Sequence, residues 1–418
     1  MSRSLIFSTL IIIVVVNNVH SLTNLKEKFK WHEIEFEWPS EDVKNTWNAS
    51  KKYIPENNLP LGVERWQNKL FITIPRWKPG VAATLNYVDL NESSESPKFK
   101  PYPSWEDNDI NLPSNGSEAG IKGDSNVVSV FRTRADACDR LWVQDSGVSD
   151  IWGNFDVIAP NALVIFDLKS DKLIRRFVIP SDLLKENSFV ANVVVDVDPN
   201  DCDNAFAYLS DLGAYAIIVY SFKENKAWRV KHHYFAFDPL AGNYTVGGVN
   251  FQWTDGIFGI ALDRLKENGV RNVYFHAFSS TKEFMVSNKV LQNESYSTSE
   301  ASFNEFQLLG ERGMNSQSSV EMFDEKTGVI FYTMVNRDAI GCWNTKKPYT
   351  ADNQGMVDSD QTALEFPNDL KVDNEGNLWV ISDRMPRWLL NNEILEDDNY
   401  RILTGKTELL IKGTPCEN

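Results

Sequence analysis

The sequence lacks the short motifs that identify common enzyme classes. It contains no G-x-S-x-G motif, no H-E-x-x-H motif, no C-x-x-C pair and no glycine-rich phosphate loop. These absences exclude the standard nucleophile, zinc, redox and phosphate-binding signatures. No residue can be assigned a catalytic role from a motif, so the catalytic residues are unknown from the sequence.

Histidine is scarce, and its spacing excludes a metal site of the usual kind. Apart from His20, the histidines are His32, His232, His233 and His276. None of them is spaced from a second histidine or a cysteine as metal ligands usually are. His276 lies in an apolar strand and is expected to be a hydrogen-bonded core residue. The acidic stretch over residues 196–203 resembles a calcium loop, but its sixth and twelfth positions are Asp201 and Ala207, not glycine and glutamate. We predict an acidic turn there, and neither a metal nor a cofactor.

Long hydrophobic runs are absent except at the N-terminus. Arg3 precedes an apolar run from Leu5 to Val16 that is too short to span a bilayer, and small residues follow at Val19 and Ser21. This pattern is typical of a secretory signal peptide over residues 1–21, cleaved after Ser21. Because no later run is long enough to cross a membrane, we expect a secreted, extracellular protein.

Positive charge is in deficit. The 418 residues include 42 Lys and Arg against 58 Asp and Glu, so the net charge is −16, or −17 once Arg3 leaves with the signal peptide. This acidity argues against nucleic acid and anionic membranes as partners. It permits cationic small ligands, although solubility alone explains most of the carboxylates. The oligomeric state is not predicted.

Cysteine is rare, but its number is even. The four cysteines are Cys138, Cys202, Cys342 and Cys416. An oxidising compartment favours two disulfides among them, and three pairings are open. The sequential pairing would close two long loops, each worth roughly 4 kcal/mol of stability.

Glycosylation sequons are more numerous than chance predicts for a chain of this length. The N-x-[ST] pattern occurs in polar, loop-like sequence at Asn48, Asn91, Asn115, Asn243 and Asn293. We therefore expect a glycoprotein.

Short apolar strands joined by turns are abundant, and the clearest example covers residues 366–388. Leu370 and Val372 alternate with polar neighbours, as in a half-buried strand. The Asn-Glu-Gly sequence at residues 374–376 is typical of a tight turn. A continuous apolar run, Leu378–Ile381, then predicts a strand that is covered on both faces, and an aspartate closes it.

This strand–turn–strand unit occurs six times in the chain. The copy at residues 135–147 has the same turn, the same Leu-Trp-Val and a closing aspartate, and four weaker copies are spread over the chain. The apolar strands begin near Leu70, Leu141, Ala205, Val273, Ile330 and Leu378. Small sheets repeated along a chain are the signature of a β-propeller. We therefore predict an all-β, six-bladed propeller in a single domain over residues 22–418; the alternative is a β-sandwich of unrelated hairpins.

Segments outside the repeats are predicted to complete or interrupt the blades. Residues 31–38 (WHEIEFEW) alternate apolar and polar residues and are interpreted as a strand that completes the last blade. Residues 399–412 supply the closing strands, and a disulfide tethers the C-terminal tail. Residues 282–305 are interpreted as a polar loop.

The sequence resembles the insect yellow and major royal jelly protein family, in particular its yellow branch. The resemblance covers nearly all of the mature chain and is carried by LPLGVERWQNKLFITIPRW, CDRLWVQDSG, GIFGIAL, AIGCWN and NDLKVDNEGNLWVISDRMPRWL. It implies a secreted six-bladed propeller. Some members of the family take part in cuticle pigmentation and melanin formation, and others are said to convert dopachrome. Salivary relatives bind biogenic amines in the central channel, and royal jelly members are food proteins. The resemblance implies one of these roles for this chain.

The sequence departs from this family at two positions. Many relatives have two further cysteines where this chain has Ser125 and Ala159. Their joint absence implies that they normally pair with each other, which leaves the pairing of Cys138 with Cys202 and of Cys342 with Cys416. We also expect a looser loop over residues 120–160.

A ligand site is expected where the inner strands converge at one mouth of the propeller. Polar residues at the strand starts would provide acceptors and an acidic field, and Trp253 would extend an aromatic wall. This combination suits an aromatic amine or a catechol, because a carboxylate pairs with the ammonium group, the ring stacks, and amides meet the hydroxyls. The predicted ligand-binding residues are Asn368, Asp369, Leu370, Asn192, Asp255, Phe258, Gln317 and Ser318. The alternative is that these residues cap strand ends and hold channel water.

Three functions follow as hypotheses. The first is a secreted binding protein of the pigmentation pathway that holds a small catechol or indole amine. The second is a dopachrome-converting isomerase, for which Asp255, Asp369 or His276 would serve as acid or base. The third is a metal-dependent lactonase-like hydrolase, in which Asn192, Asp255 and Asn368 would ligate the metal.

Overall fold

Six four-stranded antiparallel sheets surround a central channel, and their inner strands contact one another in a closed ring. The structure, a computed structural model, describes residues 21–111 and 120–418. The predicted six-bladed β-propeller is therefore confirmed. The signal peptide and Asn115 lie outside the described residues, except for Ser21.

The strands of each blade are given from the channel outward. Blade 1 consists of Gly62–Trp66, Lys69–Thr73, Leu85–Asp89 and Lys100–Pro101. Blade 2 consists of Val130–Ala135, Arg140–Asp145, Ala162–Asp167 and Lys172–Val178. Blade 3 consists of Val190–Asp198, Asp201–Asp211, Ala216–Ser221 and Lys226–Lys231. Blade 4 consists of Ile257–Leu262, Asn272–Ala277, Lys282–Ser287 and Gln307–Glu311. Blade 5 consists of Glu321–Asp324, Val329–Met334, Ala339–Asn344 and Gln354–Ser359. Blade 6 consists of Pro367–Val372, Asn377–Ser382, Tyr400–Lys406 and Lys26–Trp31.

The repeat seen in the sequence is the inner pair of strands of each blade. All six apolar runs are the second strands of their blades. Each second strand has a paired strand on either side within its sheet, and each face of the sheet packs against an adjacent blade. In blade 6 the turn aspartate Asp373 accepts bonds from the Asn377 backbone N–H (2.9 Å) and the Trp379 indole N–H (2.7 Å). In blade 2, Asp136 likewise accepts a bond from Trp142 (2.7 Å). The Leu-Trp-Val signature is thus fixed by a bond from its tryptophan to the turn.

The closing aspartates of the repeat tie the second strand back to the start of the inner strand. Asp145 accepts a bond from the Ser129 N–H (2.8 Å), and Asp211 accepts one from the Phe189 N–H (2.9 Å). In blade 6, Asp383 accepts a bond from the side chain of the second inner-strand residue (2.7 Å). These bonds fix the upper mouth, defined as the end of the channel at which the inner strands begin.

The N-terminal strand closes the ring, but it is not the segment that the alternation predicted. Lys26–Trp31 pairs antiparallel with Tyr400–Lys406. Beyond it, residues 32–38 make a single bridge, from Phe36 to Phe99. Their alternation is explained by packing rather than by a sheet, since Phe36 and its apolar neighbours contact an aromatic cluster outside blade 1: Trp38, Trp47, Tyr53 and Trp105.

The prediction of a loop over residues 282–305 was wrong. Lys282–Ser287 is the third strand of blade 4, and short helices follow it. The strand was missed because most residues of the segment are charged or polar. Two apolar residues in it alternate, Phe284 and Val286, and their side chains are buried against the second strand.

Helices are short and lie in the connections. The α-helices are Glu41–Ala49, Trp105–Asn108, Asn288–Gln292, Glu294–Ser297 and Thr407–Leu410. The 3₁₀ helices are Pro55–Asn57, Ser181–Leu183, His233–Phe235, Pro239–Ala241, Glu300–Glu305, Val335–Arg337 and Ala351–Asn353, and Arg387–Asn391 is a π-helical turn. None of the helices in the described ranges is long and apolar enough to cross a bilayer.

Two disulfides have the sequential pairing. Cys138–Cys202 joins the lower turns of blades 2 and 3, and Cys342–Cys416 ties the C-terminal tail to the third strand of blade 5. A small two-stranded sheet, Val148–Ser149 with Asp156–Val157, lies in the upper connection of blade 2.

A second extra hairpin extends over the upper face. This cover hairpin consists of Asn243–Val246 and Val249–Gln252, and its tip residues Gly247 and Gly248 both have positive φ. Its apolar residues face the core, whereas its polar residues face solvent. The tip lies against the Glu365 carboxylate, so the hairpin runs from blade 4 towards blade 6.

Candidate functional site

An apolar chamber of about 330 Å³ opens at the upper mouth. Most of its wall is aromatic or aliphatic, and the polar side chains in it are few. This upper chamber is lined by Leu61, Trp77, Phe131, Arg132, Ile151, Trp152, Phe189, Ala191, Leu212, Gly213, Gln252, Trp253, Thr254, Asp255, Phe258, Phe278, Asn368 and Met385. Its size is at the small end of the range for ligand pockets, which suits a compact one- or two-ring molecule.

The aromatic side chains form two facing groups. On one side, Phe258 stacks on Phe278 with ring centroids 5.8 Å apart, and Trp253 contacts Phe278 edge to face at 5.6 Å. On the other side, Trp77 and the half-exposed Trp152 stack at 6.0 Å. Stacked and edge-on rings of this kind offer flat apolar surfaces and the negative ring faces that attract cations.

Asp255 provides the uncompensated negative charge of the chamber. It lies in the segment that leads from the cover hairpin into blade 4, and its carboxylate is partly buried. No donor in residues 21–111 or 120–418 makes a hydrogen bond or ion pair with this carboxylate. Burial raises the pKa of Asp255 to about 7. A cation placed beside it would favour the ionised form and lower that pKa.

The floor of the chamber is a buried layer of paired charges. The Arg132 guanidinium donates to the side-chain oxygen of Asn368 (2.7 Å) and to its backbone carbonyl (2.9 Å). Asn368 in turn donates to Asp383 (2.7 Å), so its amide is fully engaged. Burial raises the pKa of Asp383 well above its usual range.

Asp369 lies at the centre of this layer and does not reach the chamber. Its carboxylate lies 3.4 Å from the Arg132 Nε and 2.6 Å from the Lys371 Nζ. Its side chain is fully buried. Burial lowers the pKa of both cations. The layer separates the upper chamber from a second one, because Arg132 lines the first and Lys371 lines the second.

The second, lower chamber has a volume of about 600 Å³ and opens where the inner strands end. Charged side chains dominate it, unlike the upper chamber. Its side chains include Arg134, Arg271, Lys371, Glu321 and Asp373. Most of these charges are already paired; for example, Arg134 lies 3.2 Å from Glu64.

The structure brings three of the eight predicted ligand-binding residues together, namely Asp255, Phe258 and Asn368. Asn192 lines the lower chamber, and its amide donates to the Phe258 carbonyl (2.8 Å). Leu370 packs in the core between blades 5 and 6.

The remaining two predicted residues support the wall from behind. Gln317 donates to the Ala241 carbonyl (2.9 Å) and so holds the base of the cover hairpin. Ser318 bonds within blade 5, to Thr333 and the Val320 carbonyl. The sequence could not show that the cover hairpin displaces this part of blade 5 from the mouth.

Sequence reasoning missed the aromatic residues that come from loops. Trp77 and Trp152 lie in connections at the upper face, and Phe189 is the connecting residue directly before the inner strand Val190–Asp198. A signal for them was present, because large aromatic residues are unusual in polar connecting segments such as SDIWGNF at residues 149–155.

Comparison with known proteins relates the chain to one family. The family model described as "Major royal jelly protein" matches residues 128–416. "Protein yellow" of Drosophila subobscura is 38% identical over 413 residues, which is 98% of this chain and 70% of that protein. "Protein yellow" of Drosophila melanogaster is 38% identical over 409 residues, 97% of this chain and 73% of that protein. Among solved structures, a luciferin-regenerating enzyme shares 11% identity at a TM-score of 0.47, covering 86% of this chain and 94% of that one, a likeness too low to bear on function.

Proposed function

The chain belongs to the major royal jelly protein family, and from this premise we propose that it is a secreted protein of the yellow type that binds a small catechol- or indole-type amine in its upper chamber. Its place would be in cuticle pigmentation and melanin formation, where such amines are precursors. The signal-peptide pattern at residues 1–21 supports secretion.

The observation that carries the proposal is the unpaired carboxylate of Asp255 in an aromatic chamber. A partly buried carboxylate without a partner is unfavourable, and an ammonium group would compensate its charge. Phe258 and Trp253 would hold the ring of the same ligand through stacking and cation–π contacts. The opposite half of the chamber, with Trp77 and Trp152, would cover the second ring face.

The charges of the chamber favour amines over the parent amino acids. Within the described part of the chain, Arg132 is the only cationic residue that lines the chamber. Its guanidinium is engaged by Asn368 and Asp369, so a ligand carboxylate would find no free cation and would be repelled by Asp255. The amide of Asn368 is also engaged, so the neutral polar side chains that a ligand hydroxyl would meet in the wall are those of Gln252 and Thr254.

The two enzymatic hypotheses receive no comparable support from the geometry. An isomerase needs its acid and base at one ligand, but Asp255, Asp369 and His276 lie in three separate environments. The predicted lactonase ligands are also separated, since Asn192 lines the lower chamber whereas Asp255 and Asn368 line the upper one.

Calorimetric titration with dopamine, serotonin and tyramine tests the proposal. The wild type should bind all three saturably, and Asp255→Asn should weaken each by about tenfold or more, because a charge-assisted hydrogen bond is worth about 1.5–3 kcal/mol. Asp182→Asn is the matched control, since Asp182 is exposed in a connection outside the chamber. Wild-type protein that binds none of the amines, or an Asp255→Asn variant that binds them unchanged, would refute the proposal.

A further inference from the structure

A buried cluster of possible metal ligands lies between blades 4 and 5, away from the upper chamber. His276 comes from the second strand of blade 4, Glu283 from its third strand, and Glu321 from the inner strand of blade 5. Their side chains are 0%, 1% and 1% exposed. Gly259 of the inner strand makes room for the imidazole, because any Cβ at that position would collide with the ring.

The hydrogen bonds fix the orientation of the imidazole. The Nε2 atom of His276 lies 3.2 Å from the Ser318 carbonyl oxygen, which only accepts, so Nε2 carries a hydrogen. The other nitrogen, Nδ1, lies 3.2 Å from Glu283 Oε2 and 3.5 Å from Glu321 Oε2. All three ligand atoms lie within 4.8 Å of one another. Nδ1 and two carboxylates therefore converge, and a cation must lie among them, either a proton or a metal ion.

The unsatisfied oxygens favour a metal ion over a proton. A proton on Nδ1 serves the two Oε2 atoms, but in the described residues both Oε1 atoms, of Glu283 and Glu321, are buried without any hydrogen-bond partner. Such atoms are costly to bury. A metal ion can take the imidazole nitrogen and either or both oxygens of each carboxylate, so unlike a proton it can also satisfy the Oε1 atoms. The separations of Nδ1 from the two Oε2 atoms, 3.2 and 3.5 Å, are close to the roughly 3.3 Å between neighbouring ligands around a tetrahedral ion with bonds of about 2.0 Å.

The surroundings supply the supporting bonds that metal sites have. Arg312 donates to Glu283 Oε2 (2.6 Å), the Tyr349 hydroxyl lies 3.4 Å from the same oxygen, and the Oε1 atom is left for an ion. A histidine ligand whose other N–H is held by a carbonyl is the usual arrangement. Glu321 lines the lower chamber, which provides a route to the cluster from solvent.

We propose that His276, Glu283 and Glu321 form a binding site for a divalent transition-metal ion that joins blades 4 and 5. One imidazole and two carboxylates favour zinc over calcium or magnesium, which prefer oxygen ligands alone. The site is independent of the amine site, because none of its three residues lines the upper chamber.

Metal analysis of the full-length secreted protein, purified from zinc-containing medium without chelators, tests the site. We expect about one zinc per chain by inductively coupled plasma mass spectrometry. After removal with a chelator, added Zn²⁺ should rebind and raise the melting temperature, because a ligand that binds only the folded state stabilises it. Glu321→Gln, which preserves the shape of the side chain, should weaken Zn²⁺ binding about tenfold or more, and His276→Gln should abolish it.

His32→Gln is the matched control, since His32 is an exposed histidine outside the cluster and its loss should leave the zinc content unchanged. Two results would overturn the proposal. One is a wild type that holds less than about a tenth of an equivalent and shows no thermal shift with added Zn²⁺; the cluster then holds a proton, which ¹⁵N NMR would show as a doubly protonated His276. The other is zinc binding that Glu321→Gln, verified as folded by circular dichroism, leaves unchanged.

Discussion

At the scale of single residues, two aspartates near the channel show how pairing decides what a carboxylate does. Asp369 is fully buried between Arg132 and Lys371, and its carboxylate forms ion pairs with both of these side chains. Asp255 has no such partner and lies in the wall of a chamber. The unpaired carboxylate is therefore the one available to a ligand.

The pH dependence of amine binding follows from Asp255. Because burial raises its pKa to about 7, the carboxylate is largely protonated at pH 6 and ionised at pH 8. Dopamine affinity should rise over this interval by about tenfold, and in Asp255→Asn it should stay nearly constant. Titration calorimetry at several pH values measures this, and a wild-type affinity that is flat or falls with pH would contradict it.

The same pKa predicts a change in stability of the ligand-free protein. Between the unfolded pKa of about 4 and the folded pKa of about 7, the unfolded chain has released the proton of Asp255 while the folded chain retains it. This group's contribution to the free energy of unfolding is therefore fully present below about pH 4 and is lost as the pH rises through about 7. From pH 5 to pH 8 the wild type should therefore lose stability relative to Asp255→Asn. Urea unfolding of both proteins at several pH values measures this difference in the free energy of unfolding.

At the scale of the element, the hairpin of the two inner strands is the unit that the sequence encodes most clearly. Its apolar run, its Asn-Glu-Gly turn and its closing aspartate all have local causes, so the repeat could be found in the sequence and the second strand of every blade was located. The aspartate that opens the turn gives the unit its rigidity. Burial opposes the ionisation of Asp373, but bonds from Trp379, Asn377 and Arg65 outweigh it and lower its pKa.

Loss of the turn aspartate should destabilise the blade. Asp136→Asn would weaken the bonds to the Trp142 indole and to Arg140, and we expect it to lower the free energy of unfolding by about 1–3 kcal/mol. Asp171→Asn, in an exposed turn of the same blade, should change it by less than about 0.5 kcal/mol. Urea unfolding of both variants measures these changes in the free energy of unfolding. Equal changes in the two variants would show that the bond from the Trp142 indole to Asp136 does not stabilise the blade.

Features that depend on contacts between distant segments could not be predicted from the sequence. Gln317 was expected at the mouth because it precedes an inner strand, but the cover hairpin occupies that place and Gln317 supports it. Trp77 and Trp152 enter the chamber only because two loops of blades 1 and 2 meet there. The cluster of His276, Glu283 and Glu321 brings residues of two blades together, and no spacing in the sequence shows that.

At the scale of the whole molecule, both ends of the chain are used to close the ring. The N-terminal strand completes blade 6, and Cys342–Cys416 fixes the C-terminal tail to blade 5. The channel inside the ring is divided by the layer of Arg132, Asp369 and Lys371 into an apolar upper chamber and a charged lower one. The molecule therefore has two separate chambers of different character.

Removal of the terminal disulfide should destabilise the whole propeller. The Cys342–Cys416 bond closes a loop with a sequence separation of 74 residues, so replacing both cysteines with alanine should lower the free energy of unfolding by about 4 kcal/mol, chiefly through the entropy of the unfolded chain. Guanidinium unfolding monitored by tryptophan fluorescence measures this. A loss below about 1 kcal/mol would show that the tail is held by its packing alone.

The central claim, that Asp255 recognises an ammonium group in a chamber without a free cation, is tested most directly with ligand pairs that differ only by a carboxylate. Dopamine and dopa, and serotonin and 5-hydroxytryptophan, should be titrated into the wild-type protein under identical conditions. Each amine should bind about tenfold or more tightly than its parent amino acid. Equal affinities within a pair, or tighter binding of the amino acid, would contradict the account.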